Sequence, residues 1–299
     1  MSMDVIHELT VEDWAPDLQG IGSQEDTLES GKVLYFPRLR FTLSDREKRF
    51  LTEDWADGKA KNISYRGAEL PLFGAQGPDH DLADLKTMIA RFAHSADTLV
   101  QALFPHYRGY LKPGFTSYRT AAVEGRVTSW RKDDTRLHID AFPSNPTGGL
   151  RLLRVFTNIN PAGAPRVWRV GEPFPEFAQR FFTRCAKPLP GSAWLLHRLG
   201  ITKSRRTDYD HYMGQLHDQG KADLKYQKTS PHITLEIPPG ASWVVFSDQV
   251  QHAVMAGQYM LEQTFYLDPD HLVHPETGPL KVLERLAGHR LRPQSQNHR

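Results

Sequence analysis

Two histidines and an aspartate carry the clearest chemistry in this chain: His138 and Asp140 in the string RLHIDAF, and His252 in the later string WVVFSDQVQHAVMAG. Residues two apart on an extended segment point to one face, so His138 and Asp140 can offer an imidazole nitrogen and a carboxylate oxygen to the same ion. A second imidazole from a distant strand would complete a two-His, one-carboxylate face. That ligand set leaves adjacent coordination positions open, and non-haem Fe(II) oxygenases use it to bind a co-substrate and O2 side by side. A His-X-Asp string alone is weak evidence in a chain with 14 histidines. The competing reading makes His138 a turn residue, Asp140 a solvated carboxylate and His252 a hydrogen-bonded core histidine.

The surrounding sequence decides between these readings. After Asp140 the stretch AFPSNPTGG has turn composition, and LRLLRVFTNINP reads as a strand ended by Pro161. Ahead of His252, ITLEIPPGASWVVFSD reads as strand, Pro-Pro-Gly turn and strand; beyond it, Gly257 precedes the strand YMLEQTFYL. Metal ligands from two separated hairpin regions, each flanked by strands, suit a double-stranded β-helix (jelly roll), whose sheets enclose a pocket. The expected fold is mainly β with flanking helices, N-terminal helical support and a helical insertion.

Helical spacing is clearest from Asp81 to Phe104, where Leu82, Leu85, Met88, Ile89, Phe92, Ala96, Leu99, Val100 and Leu103 predict an amphipathic helix lying on a sheet. Residues 31–43 read as an early strand region. Residues 172–185 and 192–225 read as a largely helical insertion, and 203–228, rich in charge, as a lid over the barrel mouth. No linker divides the chain. One domain over 1–299 is expected: strand and helix support over about 1–105, a jelly-roll core over about 106–268 with its insertion at 172–229, and a C-terminal tail over 269–299. That tail is read as a Pro-rich link, a short helix around Leu280–Ala287 and a mobile end.

Composition sets outer limits. Hydrophobic residues at 39% and charged residues at 24% allow a packed core without disorder. No apolar run is long enough to span a bilayer. The N-terminal MSMDVIHELTVEDW lacks the basic-then-apolar order of a signal peptide, and the single Cys185 excludes an internal disulfide framework; a cytoplasmic location is expected. Cys185, beside Phe181 and Phe182, reads as packing. A net charge of +2 does not support nucleic-acid binding. Cations nevertheless cluster at 198–228, in the tail from His289 to Arg299, and at Arg126, Arg131, Lys132 and Arg136 just upstream of His138. Beside an active site such clusters favour an anionic substrate or membrane surface.

The strings HIDAFPSNPTGGLRLLRVFTNINP, TDYDHYMGQLHD and SDQVQHAVMAGQYMLEQTFYL resemble the Kdo hydroxylase family, over most of residues 30–270. Kdo is 3-deoxy-D-manno-oct-2-ulosonic acid, the acidic sugar that joins lipid A to the rest of bacterial lipopolysaccharide. The resemblance implies an Fe(II)- and 2-oxoglutarate-dependent dioxygenase that uses O2 to hydroxylate carbon 3 of Kdo on a Kdo-lipid A precursor. The product would be D-glycero-D-talo-oct-2-ulosonic acid. It also implies peripheral contact with the cytoplasmic face of the inner membrane.

On this reading His138, Asp140 and His252 hold Fe(II), and the far carboxylate of 2-oxoglutarate needs a cation inside the barrel. Many such oxygenases place that cation on the strand after the distal histidine, but GQYMLEQTFYL has no basic residue. Arg154 is the expected partner, since it shares strand parity with Phe156 and Asn158, with Arg151 as the alternative. The planar fork of an arginine suits a carboxylate. Asn158, Gln263 and Thr264 are candidates for hydrogen bonds to the co-substrate or the ligand histidines. Arg119, Arg126, Arg131 and Arg136 are candidates for the Kdo carboxylate or lipid A phosphates. His197, His211, His217 and His232 have no metal-like spacing and read as surface or lid residues. The rival readings are a same-class oxygenase on another small molecule, a non-catalytic cupin-like metal- or sugar-binding module, and a zinc hydrolase using the same three ligands.

Overall fold

The structure, a computed structural model, describes residues 3–17, 19, 21–126 and 128–293. In chain order, β1 (Ile6–Glu8), α1 (Glu25–Glu29), β2 (Val33–Phe36), β3 (Ile63–Tyr65) and α2 (Asp79–Leu103) form the N-terminal support. The barrel strands are β4 (Lys112–Arg119), β5 (Arg151–Asn158) and β6 (Arg166–Gly171). A helical insertion follows: α3 (Phe174–Phe182), α4 (Ser192–Arg198), α5 (Asp208–Ala222) and α6 (Leu224–Thr229). The barrel closes with β7 (His232–Ile237), β8 (Ser242–Phe246), β9 (His252–Ala256) and β10 (Met260–Leu267), and α7 (Pro279–Ala287) follows.

The strands make two facing sheets, a seven-stranded one ordered β1-β2-β8-β5-β10-β4-β3 and a three-stranded one ordered β7-β6-β9. This is a jelly roll. The larger sheet is covered on both faces, which is why all eight residues of the central strand β5 are buried. On its outer face α2 lays Leu85, Met88, Ile89, Phe92, Ala96, Leu99, Val100 and Leu103 against Leu153, Val155, Val244, Phe246, Leu261 and Phe265. The inner face meets the smaller sheet. There Phe156, Trp168, Val170, Trp243, Val245, Val254 and Met260 form an apolar floor. Phe156 stacks on Trp243 at 4.9 Å and meets Trp168 edge-on at 5.3 Å.

Strand parity sends Arg151 to the outer face, beside Leu153. It is fully buried there, with Nε 2.7 Å from Asp248 Oδ2, Nη2 2.6 Å from Gln249 Oε1, and its guanidinium over the Phe246 ring. Its alternative role as a co-substrate partner is thereby corrected. Arg151→Met should strand the Asp248 carboxylate and lower the unfolding free energy by about 3 to 5 kcal/mol. Urea unfolding checks this, and Arg151→Met/Asp248→Leu should recover most of the loss. Equal stability of the single variant and the native chain would contradict the pairing argument.

The insertion is more than a charged lid. Tyr209, Tyr212, Met213 and Leu216 recur at helical spacing on α5. They pack with Phe177 and Phe181 of α3 and Leu280, Val282 and Leu283 of α7 into a second core. Thr207 caps α5 in a reciprocal box with Asp210, whose Oδ1 also accepts the backbone N–H groups of Thr147 and Gly148 at 2.9 and 3.0 Å. The insertion is thus stitched to the loop that follows Asp140. The expected mobile end is also corrected in part: Leu291 is buried, and Arg292 pairs with Asp268 at 2.9 Å. Residues 294–299, including Arg299, lie outside the described residues.

Candidate active site

His138 and His252 exchange two backbone hydrogen bonds, N–H to O at 2.9 and 2.8 Å, as an isolated antiparallel bridge on the edge of the smaller sheet. Directly paired residues project to the same face, and the two imidazoles lie 4.7 Å apart between centroids. Asp140 continues the extended segment, held by its N–H on the Ser247 carbonyl at 2.8 Å. One donor atom from each of His138, Asp140 and His252 lies within 4.8 Å of the others.

Each imidazole is oriented by its own neighbourhood. His138 Nδ1 donates to the Arg136 carbonyl at 2.7 Å and His252 Nδ1 to the Val250 carbonyl at 2.8 Å, which leaves each Nε2 with its lone pair. Both rings are held neutral. Burial lowers the pKa of each, and for His138 the neighbouring His252 and Lys221 lower it further. Burial alone would raise the Asp140 pKa; the adjacent Arg154 guanidinium outweighs it and, with a hydrogen bond from Ser247, keeps the carboxyl ionised, well below the usual range. Asp140 Oδ2 is buried and accepts no hydrogen bond. Two neutral imidazoles and one ionised carboxylate whose Oδ2 accepts no hydrogen bond among the described residues fit a divalent transition metal.

The three residues open into a cavity of about 390 Å³ between the sheets, within the range of small-molecule sites. From the larger sheet it is lined by Ser117 and Arg119 of β4, Arg154 and Phe156 of β5, and Met260, Glu262, Thr264 and Tyr266 of β10. Arg166 and Trp168 of β6 and Val254 of β9 form the opposite wall, and the 142–145 loop, Lys61, Asn62, Phe115, Asp134 and Lys203 complete it.

Charge inside the cavity is arranged as a chain. Arg154 Nη1 sits 3.2 Å from Asp140 Oδ2 and 3.1 Å from Glu262 Oε1. Glu262 Oε2 accepts from Arg119 Nη2 at 2.8 Å, and Arg119 reaches Asp134 at 3.8 Å, which in turn pairs with Lys61 at 2.5 Å. Arg166 stands apart. It is buried, donates Nη1 to the Gly257 carbonyl at 3.2 Å, and leaves Nε without a partner. Burial, and then the nearby Arg119, push its pKa down to about 9, outweighing the opposing pull of Asp134, Glu262 and Glu124. Beside it, Trp168 stacks on His252 at 4.9 Å with its Nε1–H unpartnered.

Arg154, Arg119 and Thr264 therefore line the cavity with the three candidate ligands, but several other expected residues do not. Asn158 turns its Nδ2 to the carbonyls of Ile237 and Ala164 and braces a turn. Gln263 has outward parity on β10 and bonds Thr116 and the Gly114 carbonyl. Arg126 is exposed and Arg131 pairs with Asp218 on the surface. Arg136 bonds Asp133 and the Lys221 carbonyl, bracing the strand into His138 rather than facing the cavity. His217 is buried, not superficial, and packs edge-on against His138 at 5.7 Å. Of the charged insertion 203–228, Lys203 reaches the cavity wall. Sequence reasoning missed Arg166, Trp168 and Glu262. The period-two string RVWRV and the single acid in YMLEQTFYL were the available signals.

Residues 16–290 match the family model of 3-deoxy-D-manno-oct-2-ulosonic acid (Kdo) hydroxylase. The chain is similar to the solved structure of the Kdo hydroxylase KdoO, described as a non-haem Fe(II) α-ketoglutarate-dependent dioxygenase, in complex with α-ketoglutarate (2-oxoglutarate) and Fe(III). The identity is 46%, the TM-score 0.91, and 96% of this chain and 97% of that chain are covered. The cobalt(II) complex of KdoO matches at 46% identity and TM-score 0.94, covering 99% of this chain and 100% of that one. Its apo structure matches at 47% identity and TM-score 0.92, with 96% and 97% covered. No curated protein matches the chain.

Proposed function

Because the chain belongs to the Kdo hydroxylase family, we propose that it hydroxylates carbon 3 of Kdo on a Kdo-lipid A precursor, giving D-glycero-D-talo-oct-2-ulosonic acid. It is an Fe(II)- and 2-oxoglutarate-dependent dioxygenase acting on a Kdo-containing substrate. The observation that carries the residue assignments is one cavity containing both a two-His, one-carboxylate donor set and a buried guanidinium that, among the described residues, leaves its Nε without a partner.

His138, Asp140 and His252 hold the metal. When bound, Fe(II) and 2-oxoglutarate supply oxidative decarboxylation to succinate, coupled to insertion of one oxygen atom of O2 into a C–H bond. Arg154 acts on Asp140, keeping it ionised and aimed, and adds positive charge along the co-substrate. Arg166, with the Trp168 Nε1–H beside it, takes the far carboxylate; an anion there satisfies two donors that are otherwise buried and unpaired. This moves the principal co-substrate cation from Arg154 to Arg166 and leaves Arg154 in support. Arg119, Lys61 and Lys203 face the acidic sugar. The apolar floor under the cavity excludes water from the reacting groups.

We further place the protein on the cytoplasmic side of the inner membrane, in peripheral contact with it; among the described residues no helix is long and apolar enough to cross a membrane. The test is anaerobic reconstitution with Fe(II), followed by succinate release from 2-oxoglutarate with and without Kdo-lipid A. Lipid-dependent succinate and a mass gain of one oxygen on the lipid are expected. Succinate without lipid oxidation would retain the oxygenase and overturn the substrate. Metal binding with no succinate under any condition would favour a binding module.

A further inference from the structure

Soluble proteins seldom expose several large apolar side chains together. Here Leu189 (74% exposed), Trp194 (54%), Leu195 (50%), Leu199 (63%) and Ile201 (52%) crowd onto α4 and its flanks. The same span, 187–206, contains Lys187, Arg198, Lys203, Arg205 and Arg206 and not one acid. Lys187, Arg198, Lys203 and Arg205 are exposed, and among the described residues none of the four makes an ion pair. The segment is nevertheless well anchored at its base. The Ile201 N–H donates to the Leu196 carbonyl at 3.0 Å, Thr202 is buried, the Lys203 N–H donates to the Ser144 carbonyl at 3.0 Å, and Arg206 grips the Pro143 carbonyl. Pro143 and Ser144 belong to the loop that lines the cavity, as does Lys203 itself.

A short element with Trp and Leu projecting among unpaired cations has the composition of an interfacial anchor. The apolar side chains enter the boundary between headgroups and acyl chains while the cations meet anionic headgroups. A docking face for another protein would gain from acids to balance these cations at its rim, and this span has none.

We infer that residues 187–206 dock the protein on an anionic lipid bilayer, bringing the cavity wall at 143–144 and Lys203 to the membrane surface. A glycolipid could then present its sugar to the cavity while its acyl chains remain in the bilayer. The inference rests on the proposed action on a membrane-held glycolipid and names the surface that contact would use.

The test is co-sedimentation of the full chain with vesicles of phosphatidylcholine alone or mixed with phosphatidylglycerol. Trp194→Ser/Leu199→Ser is compared with the native chain; both positions are exposed and outside the cavity wall. The native chain should bind the mixed vesicles more tightly, and binding should fall with added salt. The double variant should lose at least tenfold in partition. Lys187→Glu/Arg198→Glu/Arg205→Glu should lose the preference for phosphatidylglycerol. Hydroxylation of a water-soluble Kdo glycoside, measured in parallel, should be the same in the double variant and the native chain. Failure of that reaction in both chains would sink the proposed function while leaving the partition result standing. Equal partition of native and variant chains, or no native binding to either vesicle, would overturn the docking surface. So would a native dimer, broken by the double variant and indifferent to vesicles, which would assign the face to a second copy of this chain.

Discussion

His252→Ala should abolish Fe(II) retention and lower succinate release by at least roughly a thousandfold, a loss of about 4 kcal/mol or more in transition-state stabilisation. The reason is geometric as well as chemical. His252 supplies one of only three donors, its Nε2 is freed for the metal by the Nδ1 bond to the Val250 carbonyl, and its ring is sandwiched by Trp168 and the His138 bridge. Two donors remain after the substitution, and the co-substrate then lacks a fixed platform. The backbone bridge to His138 uses N–H and C=O groups that alanine keeps, so the variant should fold. Anaerobic Fe(II) titration and turnover, measured together, check both halves. A variant that held iron and kept a tenth of native turnover would exclude His252 as a ligand.

Arg166→Met should raise the apparent KM for 2-oxoglutarate by about 10- to 100-fold, the equivalent of one charge-assisted hydrogen-bonding group worth about 1.5 to 3 kcal/mol. Fe(II) affinity should change little, because Arg166 makes no ion pair with the three donors, among the described residues. Its stability effect should be the reverse of the Arg151 case. Among the described residues Arg166 is a buried cation whose hydrogen bond goes to a backbone carbonyl, so a methionine of similar volume should leave the unfolding free energy of the metal-free chain undiminished. Arg154→Met makes the contrast. It frees both Asp140 and Glu262, which should weaken iron and 2-oxoglutarate binding together and destabilise the fold. If Arg166→Met left the 2-oxoglutarate KM unchanged while Arg154→Met alone raised it, the far carboxylate would belong to Arg154.

The distribution of charge explains why the strand after His252 supplies no cation. The strand after His252 has an acid, Glu262, at a cavity-facing position where many related oxygenases have a cation. The cations arrive instead from three other strands, with Arg119 on β4, Arg154 on β5 and Arg166 on β6. Glu262 is held ionised although burial opposes it, because Arg154 and Arg119 flank it. An acid in that position is therefore a spacer between two guanidinium groups, and its role is visible only when neighbouring strands are laid side by side.

Sequence alone determined the features with a fixed local period or a local chemical signature. The His-X-Asp pair faces one way because strand side chains alternate. The helix over the larger sheet follows from apolar positions spaced three and four apart, and the jelly-roll class follows from strands and turns around two separated ligand strings. Tertiary structure alone decided which distant side chains meet. Parity separates Arg151 from Arg154, but pairing with β8 and β10 decides which parity looks inward. Asn158 and Gln263, candidates for hydrogen bonds to the co-substrate or the ligand histidines, became braces, because they bond groups on elements far along the chain, the Ile237 carbonyl for Asn158 and Thr116 and the Gly114 carbonyl for Gln263. Arg166 became a site residue because β6 lies opposite β5 and β10, and sheet facing is a property of the closed barrel. The meeting of His138 with His252 has the same origin, since a backbone bridge between two edges encodes no local pattern in either string.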